Sequence, residues 1–127
     1  MGTGRALADT SLFIGVEQGR IRASQRSLGL SMVTVGELRL GVLAAAGVDE
    51  RATRLRTLQS AMALDPFPID DQVADAWAEL RVAMRGTGRK LATNDSWIAA
   101  TAIAHDLPLV TQDRDYDAVP GLTVVSL

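Results

Sequence analysis

Apolar positions along the chain fall into short runs separated by longer stretches with helical spacing. Arg5-Ala6-Leu7-Ala8-Asp9 reads as a short buried strand that runs into Asp9-Thr10-Ser11, a helix-starting signature. Leu12, Phe13 and Val16 carry a helix that Gly19 stops. Residues 20–26 are polar and basic and read as a loop or frayed helix, and 28–33 as a second strand. Thr34 is predicted to cap the next helix, with Glu37 completing a capping box. Leu38, Leu40, Val42 and Leu43 continue it to Gly47. Asp49-Glu50 opens a third helix through Leu55, Leu58 and Met62. Pro66 and Pro68 bar a helix over 65–69, predicted instead as a short edge segment.

Asp70-Asp71 is predicted to cap a helix bearing Val73, Trp77, Leu80 and Met84. A flexible loop follows at 86–90. Thr93 or Asn94 is predicted to cap a further helix with Trp97, Ile98, Thr101, Ile103 and Ala104. Residues 108–111 read as a strand, 112–120 as an acidic loop and 122–127 as a last strand. Short apolar strands alternating with helices predict an α/β fold: a mainly parallel sheet of about four to five short strands covered by helices on both faces. No repeat, linker or low-complexity segment interrupts the pattern, so residues 1–127 are expected to form a single domain.

In such sheets the working site lies beyond the carboxyl ends of the strands. Two acids fall there, Asp9 after the first strand and Asp113 after the strand at 108–111. Glu37 and Asp95 are predicted in the first turns of helices. Acids at helix starts are ordinarily caps, stabilised by free N–H groups and the helix dipole. As a set they suggest more. Four carboxylates converging on one sheet edge would repel and raise one another's pKa, and a divalent cation removes that cost.

Composition narrows the chemistry. The chain has 127 residues, 47% of them hydrophobic, enough for one domain with a sizeable core. It has no cysteine and one histidine, His105. That excludes disulfides, thiolate or multi-histidine metal sites and a cysteine nucleophile. Oxygen ligands alone favour Mg²⁺ or Mn²⁺ over Zn²⁺. Such ions activate water and offset charge on a phosphodiester, so no side-chain nucleophile is needed. The formal charge of −2 gives no bulk attraction to nucleic acid, but local binding stays open. No run approaches the roughly 18 apolar residues of a membrane span. No signal peptide is read at the start, and a cytoplasmic location is expected.

Four blocks carry a resemblance: Ala8-Asp9-Thr10-Ser11, Val33-Thr34-Val35-Gly36-Glu37-Leu38, Asn94-Asp95-Ser96-Trp97-Ile98-Ala99-Ala100 and Leu109-Val110-Thr111-Gln112-Asp113. In this order, across nearly the whole chain, they resemble the PIN-domain family and, within it, the VapC toxins of bacterial toxin–antitoxin pairs. The resemblance implies a PIN-like α/β/α sandwich and a Mg²⁺- or Mn²⁺-dependent endoribonuclease acting on structured RNA such as transfer or ribosomal RNA. It implies neutralisation by a VapB antitoxin, and a homodimer that forms a heterotetramer or larger assembly with it. It assigns metal binding and catalysis to Asp9, Glu37, Asp95 and Asp113. Asp115 is an alternative or secondary ligand, and Asp117 is expected to face solvent. Ser11 and Thr111 are expected to hold carboxylates in place by hydrogen bonds; simple capping or strand-end satisfaction is the plainer role for both.

Other features are weighed against plainer roles. Trp77 and Trp97 have the spacing of packed helix positions, with base stacking as the alternative. His105 closes a predicted helix, and the metal mechanism has no need of it. Twelve of the 13 basic residues are Arg. Arg20/Arg22/Arg26, Arg51/Arg54/Arg56 and Arg81/Arg85/Arg89/Lys90 each read as a solvated face. The third cluster leads toward Asp95 and could guide an RNA backbone. The first two helices carry more apolar residues than one buried stripe needs; burial in the core is the plainer reading, and the resemblance offers an antitoxin segment in a groove between helices as the alternative. A non-catalytic PIN-like module that binds RNA or protein is the rival function. A phosphoacceptor receiver would want paired acids after the first strand, and a haloacid-dehalogenase-type phosphatase Asp-X-Asp; Asp9-Thr10-Ser11 meets neither pattern.

Overall fold

The structure, a computed structural model, describes residues 5–21 and 27–127. Much of the predicted basic stretch at 20–26 therefore lies outside the described residues. Ten elements follow in order. They are β1 (Ala6–Ala8), α1 (Thr10–Glu17), β2 (Leu28–Gly29), α2 (Met32–Ala44), α3 (Val48–Met62), α4 (Asp71–Arg85), α5 (Thr93–Ala104), β3 (Leu109–Thr111), a 3-10 helix (Arg114–Ala118) and β4 (Val124–Ser126).

The four strands form one sheet in the order β2-β1-β3-β4, and every pairing is parallel. Leu7 pairs with Gly29 on one side and Leu109 on the other, so β1 and β3 are the central strands. Period-two alternation then sorts their side chains. Leu7 and Leu109 join α4 and α5 in one cluster with Val73, Leu80, Ile98 and Tyr116. Ala6, Ala8 and Val110 pack with Leu12 of α1 in another. A third cluster closes α2 on α3 through Val35, Leu38, Val42 and Leu58. Both faces of the sheet are thus covered, as expected. Each fully buried Leu, Ile or Val in these clusters stabilises the fold by about 1.5–3 kcal/mol.

The segment at 65–69 does lie along the edge. Ser31 and Phe67 form an isolated parallel bridge, with Phe67 N–H donating to Leu30 C=O at 2.8 Å. Glycine is needed at position 29 because a Cβ there would stand 2.8 Å from the Phe67 ring. Asp70 caps α4 as predicted, its side chain accepting from Val73 N–H at 3.0 Å.

Several boundaries differ from the sequence-based expectation. β2 is only two residues long, not six. Ser31 ends the extended segment early because its hydroxyl accepts Val33 N–H at 3.1 Å and starts α2 there. Thr34 is therefore not a cap but a buried residue of the first turn, and Glu37 moves into the second turn. α5 is capped by Ala92, with no side-chain bond, rather than by Thr93 or Asn94. The acidic loop contains a 3-10 helix, started by Asp113, whose side chain accepts Asp115 N–H at 2.9 Å.

Candidate active site

β1 delivers Asp9 to the carboxyl edge of the sheet, where it is 4% exposed. Asp9 holds the N-cap position of α1, yet its carboxylate makes no capping bond. Both oxygens are held by hydroxyls instead. Ser11 donates to Oδ1 at 2.6 Å, and Thr111, the last residue of β3, donates to Oδ2 at 2.8 Å. The Thr111 hydroxyl in turn accepts Asp113 N–H at 2.9 Å. The holding role expected of Ser11 and Thr111 is thus matched by their geometry. Burial pushes the Asp9 pKa up by more than the two hydroxyls pull it down, and the charge of Asp113 adds to the rise.

Glu37 reaches the same edge from α2. Its Oε1 accepts the Thr10 hydroxyl at 2.6 Å, and Asn94 Nδ2 stands 3.5 Å from Oε2. Thr34 lies 3.0 Å from the Thr10 hydroxyl and braces it. Asp95 sits half-buried in the first turn of α5, where its Oδ1 accepts the Tyr116 hydroxyl at 3.0 Å. Burial is the main reason its pKa is raised. The Tyr116 bond opposes that rise, and the charges of Asp113, Glu37 and Asp9 reinforce it. The charges of the other three sequence-predicted acids therefore all reach Asp95.

The structure also separates Asp113 from its acidic neighbours. Asp113 is half-buried and raises the pKa of both Asp9 and Asp95. Asp115 and Asp117 are exposed, and Asp115 enters the network only through its backbone N–H.

Among the described residues, no Arg, Lys or His forms an ion pair with any of the four acids; the ion pair present is Arg54–Glu50, on α3. No group of three or more His, Asp or Glu side chains among those residues is already arranged to hold a metal ion. The donor set nonetheless fits a hard divalent cation: oxygens only, like-charged and partly desolvated. Each oxygen that accepts one hydrogen bond keeps further acceptor capacity. The acids would have to draw in around an ion, and its charge supplies the force to do so.

Behind Asp95, Trp77 Nε1 donates to Ser96 Oγ at 2.9 Å, and Ser96 Oγ donates to Thr93 C=O at 2.5 Å. This braces the first turn of α5. Trp77 and Trp97 stack with ring centroids 4.4 Å apart, so both take the packing role. His105 closes the opposite end of α5 and stacks on Phe67 at 4.1 Å, away from the acids. Three contributors were not singled out from the sequence: Thr10, Tyr116 and the Trp77–Ser96 pair. Thr10 had a visible signal, since it lies between Asp9 and Ser11 in a block already noted. Tyr116 had none beyond being an aromatic residue in an acidic run.

The PIN domain family model matches residues 6–122. The chain is 48% identical to Ribonuclease VapC4 of Mycobacterium tuberculosis over an alignment of 130 residues that covers 100% of both proteins. It is 43% identical to Ribonuclease VapC5 of the same organism, covering 94% of this chain and 90% of that one. Among solved structures, VapBC-5 from Mycobacterium tuberculosis superposes with a TM-score of 0.85 at 39% identity, covering 97% of this chain and 98% of that one. FitAcB from Neisseria gonorrhoeae superposes with a TM-score of 0.77 at 29% identity, covering 95% and 96%. The alignment covers both proteins from end to end, and the superposition nearly so. This chain belongs to the PIN-domain family, among its VapC proteins.

Proposed function

We propose that this chain is the toxin of a type II toxin–antitoxin pair and works as a divalent-metal-dependent endoribonuclease. Asp9, Glu37, Asp95 and Asp113 are the residues that would hold the cofactor, Mg²⁺ or Mn²⁺, and they carry the catalysis. The substrate is RNA, of a structured kind such as transfer or ribosomal RNA, cut to leave a 3′-hydroxyl and a 5′-phosphate. The partner is a VapB-type antitoxin, bound to a homodimer in a heterotetramer or larger assembly. The cytoplasm is the expected location; no helix among the described residues is long and apolar enough to cross a membrane.

The observation that carries this reading is the setting of Asp9. A carboxylate buried to 4% exposure, fixed through both oxygens and within reach of the charges of Asp113 and Asp95, is costly for a mere structural residue. It makes sense where a cation is to be received. Relatives named ribonucleases and toxins, and a related structure from the VapBC family of toxin–antitoxin systems, support the same conclusion.

A bound divalent cation would lower the pKa of a water and offset charge on the scissile phosphate. The protein's part is positional. Ser11 and Thr111 keep Asp9 from turning back onto the helix N-terminus. Thr10 holds one oxygen of Glu37, and Asn94 stands 3.5 Å from the other. The Trp77–Ser96–Thr93 brace fixes the turn that presents Asp95. With no cysteine in the chain and His105 at the far end of α5, attack by water is the route that these residues can serve.

The test is cleavage of total cellular RNA by purified protein with Mn²⁺, Mg²⁺ or EDTA, wild type beside Asp9→Asn. Discrete cuts that need metal and vanish in the variant are expected. Cutting retained in both Asp9→Asn and Asp95→Asn overturns the assignment. No cutting together with no metal binding would favour a non-catalytic PIN-like module that binds RNA or protein.

A further inference from the structure

Tyr116 is the single tyrosine of the chain, and none of its surface is exposed. Its ring lies in the cluster formed by α4, α5, Leu7 and Leu109. That much is ordinary core packing, which phenylalanine would do equally well. The hydroxyl is the unusual part. A phenol carried into an apolar core must find a partner or lose hydrogen-bonding energy. Here the partner is Oδ1 of Asp95, 3.0 Å away. The direction of the bond follows from the groups themselves, since an ionised carboxylate oxygen can only accept. Tyr116 is the donor and Asp95 the acceptor.

Tyr116 also belongs to the 3-10 helix that Asp113 starts. Asp113 is the extended N-cap of that helix and Tyr116 lies within it. Both reach Asp95 from this one short element, Tyr116 by its hydrogen bond and Asp113 by its charge. That element is anchored at its start by Asp113 N–H on Thr111 and in its middle by the buried ring.

We propose that Tyr116 is a positioning residue for the metal site: its hydroxyl fixes Oδ1 of Asp95, leaves Oδ2 to the cation, and sets the distance between Asp95 and Asp113. The inference rests on the metal-site assignment above and adds a residue to it. Partners that orient a ligating carboxylate typically alter metal affinity about 10- to 100-fold when removed.

The experiment is titration of metal-free protein with Mn²⁺, following free Mn²⁺ by its paramagnetic resonance, for wild type, Tyr116→Phe and Asp95→Asn. Tyr116→Phe is expected to keep its circular dichroism and bind Mn²⁺ about 10-fold more weakly or worse. Its RNA cleavage should fall at limiting Mn²⁺ and recover at excess Mn²⁺, with KM for RNA unchanged; a merely structural defect would not recover. Binding by Tyr116→Phe within twofold of wild type, while Asp95→Asn loses it, overturns the role of Tyr116 and leaves the metal site standing. Wild type without Mn²⁺ binding, or Asp95→Asn binding as wild type does, overturns both. If Tyr116→Phe does not fold, 3-fluorotyrosine incorporated into the wild-type sequence gives one fluorine resonance, because the chain has one tyrosine. Mg²⁺ should shift that resonance in the otherwise native protein but not in Asp95→Asn. An unshifted resonance in protein that binds Mg²⁺ refutes the inference.

Discussion

Thr111 and Asp9, 102 residues apart in the chain, share a buried hydrogen bond of 2.8 Å. It joins the ends of the two central strands and fixes one oxygen of the most buried acid in the site. Thr111→Val keeps the shape but leaves that oxygen without its donor. A lost bond to a buried charged group costs about 1–3 kcal/mol. Urea unfolding should show a loss of that order, with RNA cleavage falling as well. Thr111→Ser, which keeps the hydroxyl, should recover most of both.

The raised pKa values of Asp9 and Asp95 make a prediction about acid. In the unfolded chain both acids ionise around the ordinary value of 3.8. In the metal-free fold they hold their protons to higher pH, so between the two values the folded state binds more protons. Their contribution to stability is therefore fully present below 3.8 and is lost as pH rises through the folded values. In EDTA, Asp9→Asn and Asp95→Asn should be more stable than wild type at neutral pH, with the gap closing toward about pH 4. Thermal unfolding across that range checks it. Saturating Mn²⁺ should reverse the order at neutral pH, because only the intact acids gain the cation's binding energy.

How much of this was legible beforehand divides by range. The parallel sheet was, because each strand is a short apolar run and each helix has its own periodicity. The four acids could be singled out because each lies in a recognisable block. The start of α2 was misplaced because residues 28–33 satisfy a strand and a helix start equally, and Thr34 with Glu37 imitates a capping box. Ser31 wins by taking Val33 N–H one turn sooner. The partner of Tyr116 lies 21 residues away across α5 and β3, and no local pattern encodes that meeting.

Trp77→Phe keeps a large ring against Trp97 but removes the donor to Ser96. The expected cost is about 0.5–1.5 kcal/mol in unfolding. Cleavage should drop more than RNA affinity, since the turn bearing Asp95 loosens while no base-stacking platform is removed. A matching loss of RNA affinity would instead assign Trp77 to the substrate.

Arg85, Arg89 and Lys90 are exposed on the end of α4 and the loop toward Asp95. If they meet the RNA backbone, each alanine substitution should weaken binding at low salt. Removing one cation that neutralises a phosphate should lower the slope of log affinity against log salt by about 0.7 on single-stranded RNA. Equal slopes for wild type and the triple variant would return this cluster to a solvated face.

The placement of β3 between β1 and β4 has a consequence for the timing of synthesis. Residue 9 leaves the ribosome early, but Thr111, Asp113 and Tyr116 follow only after a hundred more residues have been added. Until they arrive, β1 lacks one of its two neighbours and Asp9 lacks one of its two hydroxyl donors. The nascent chain thus carries three of its four acids with no edge on which to assemble them. The site therefore cannot assemble until β3 and the 3-10 helix have emerged. A chain truncated at residue 108 should neither fold nor cut RNA.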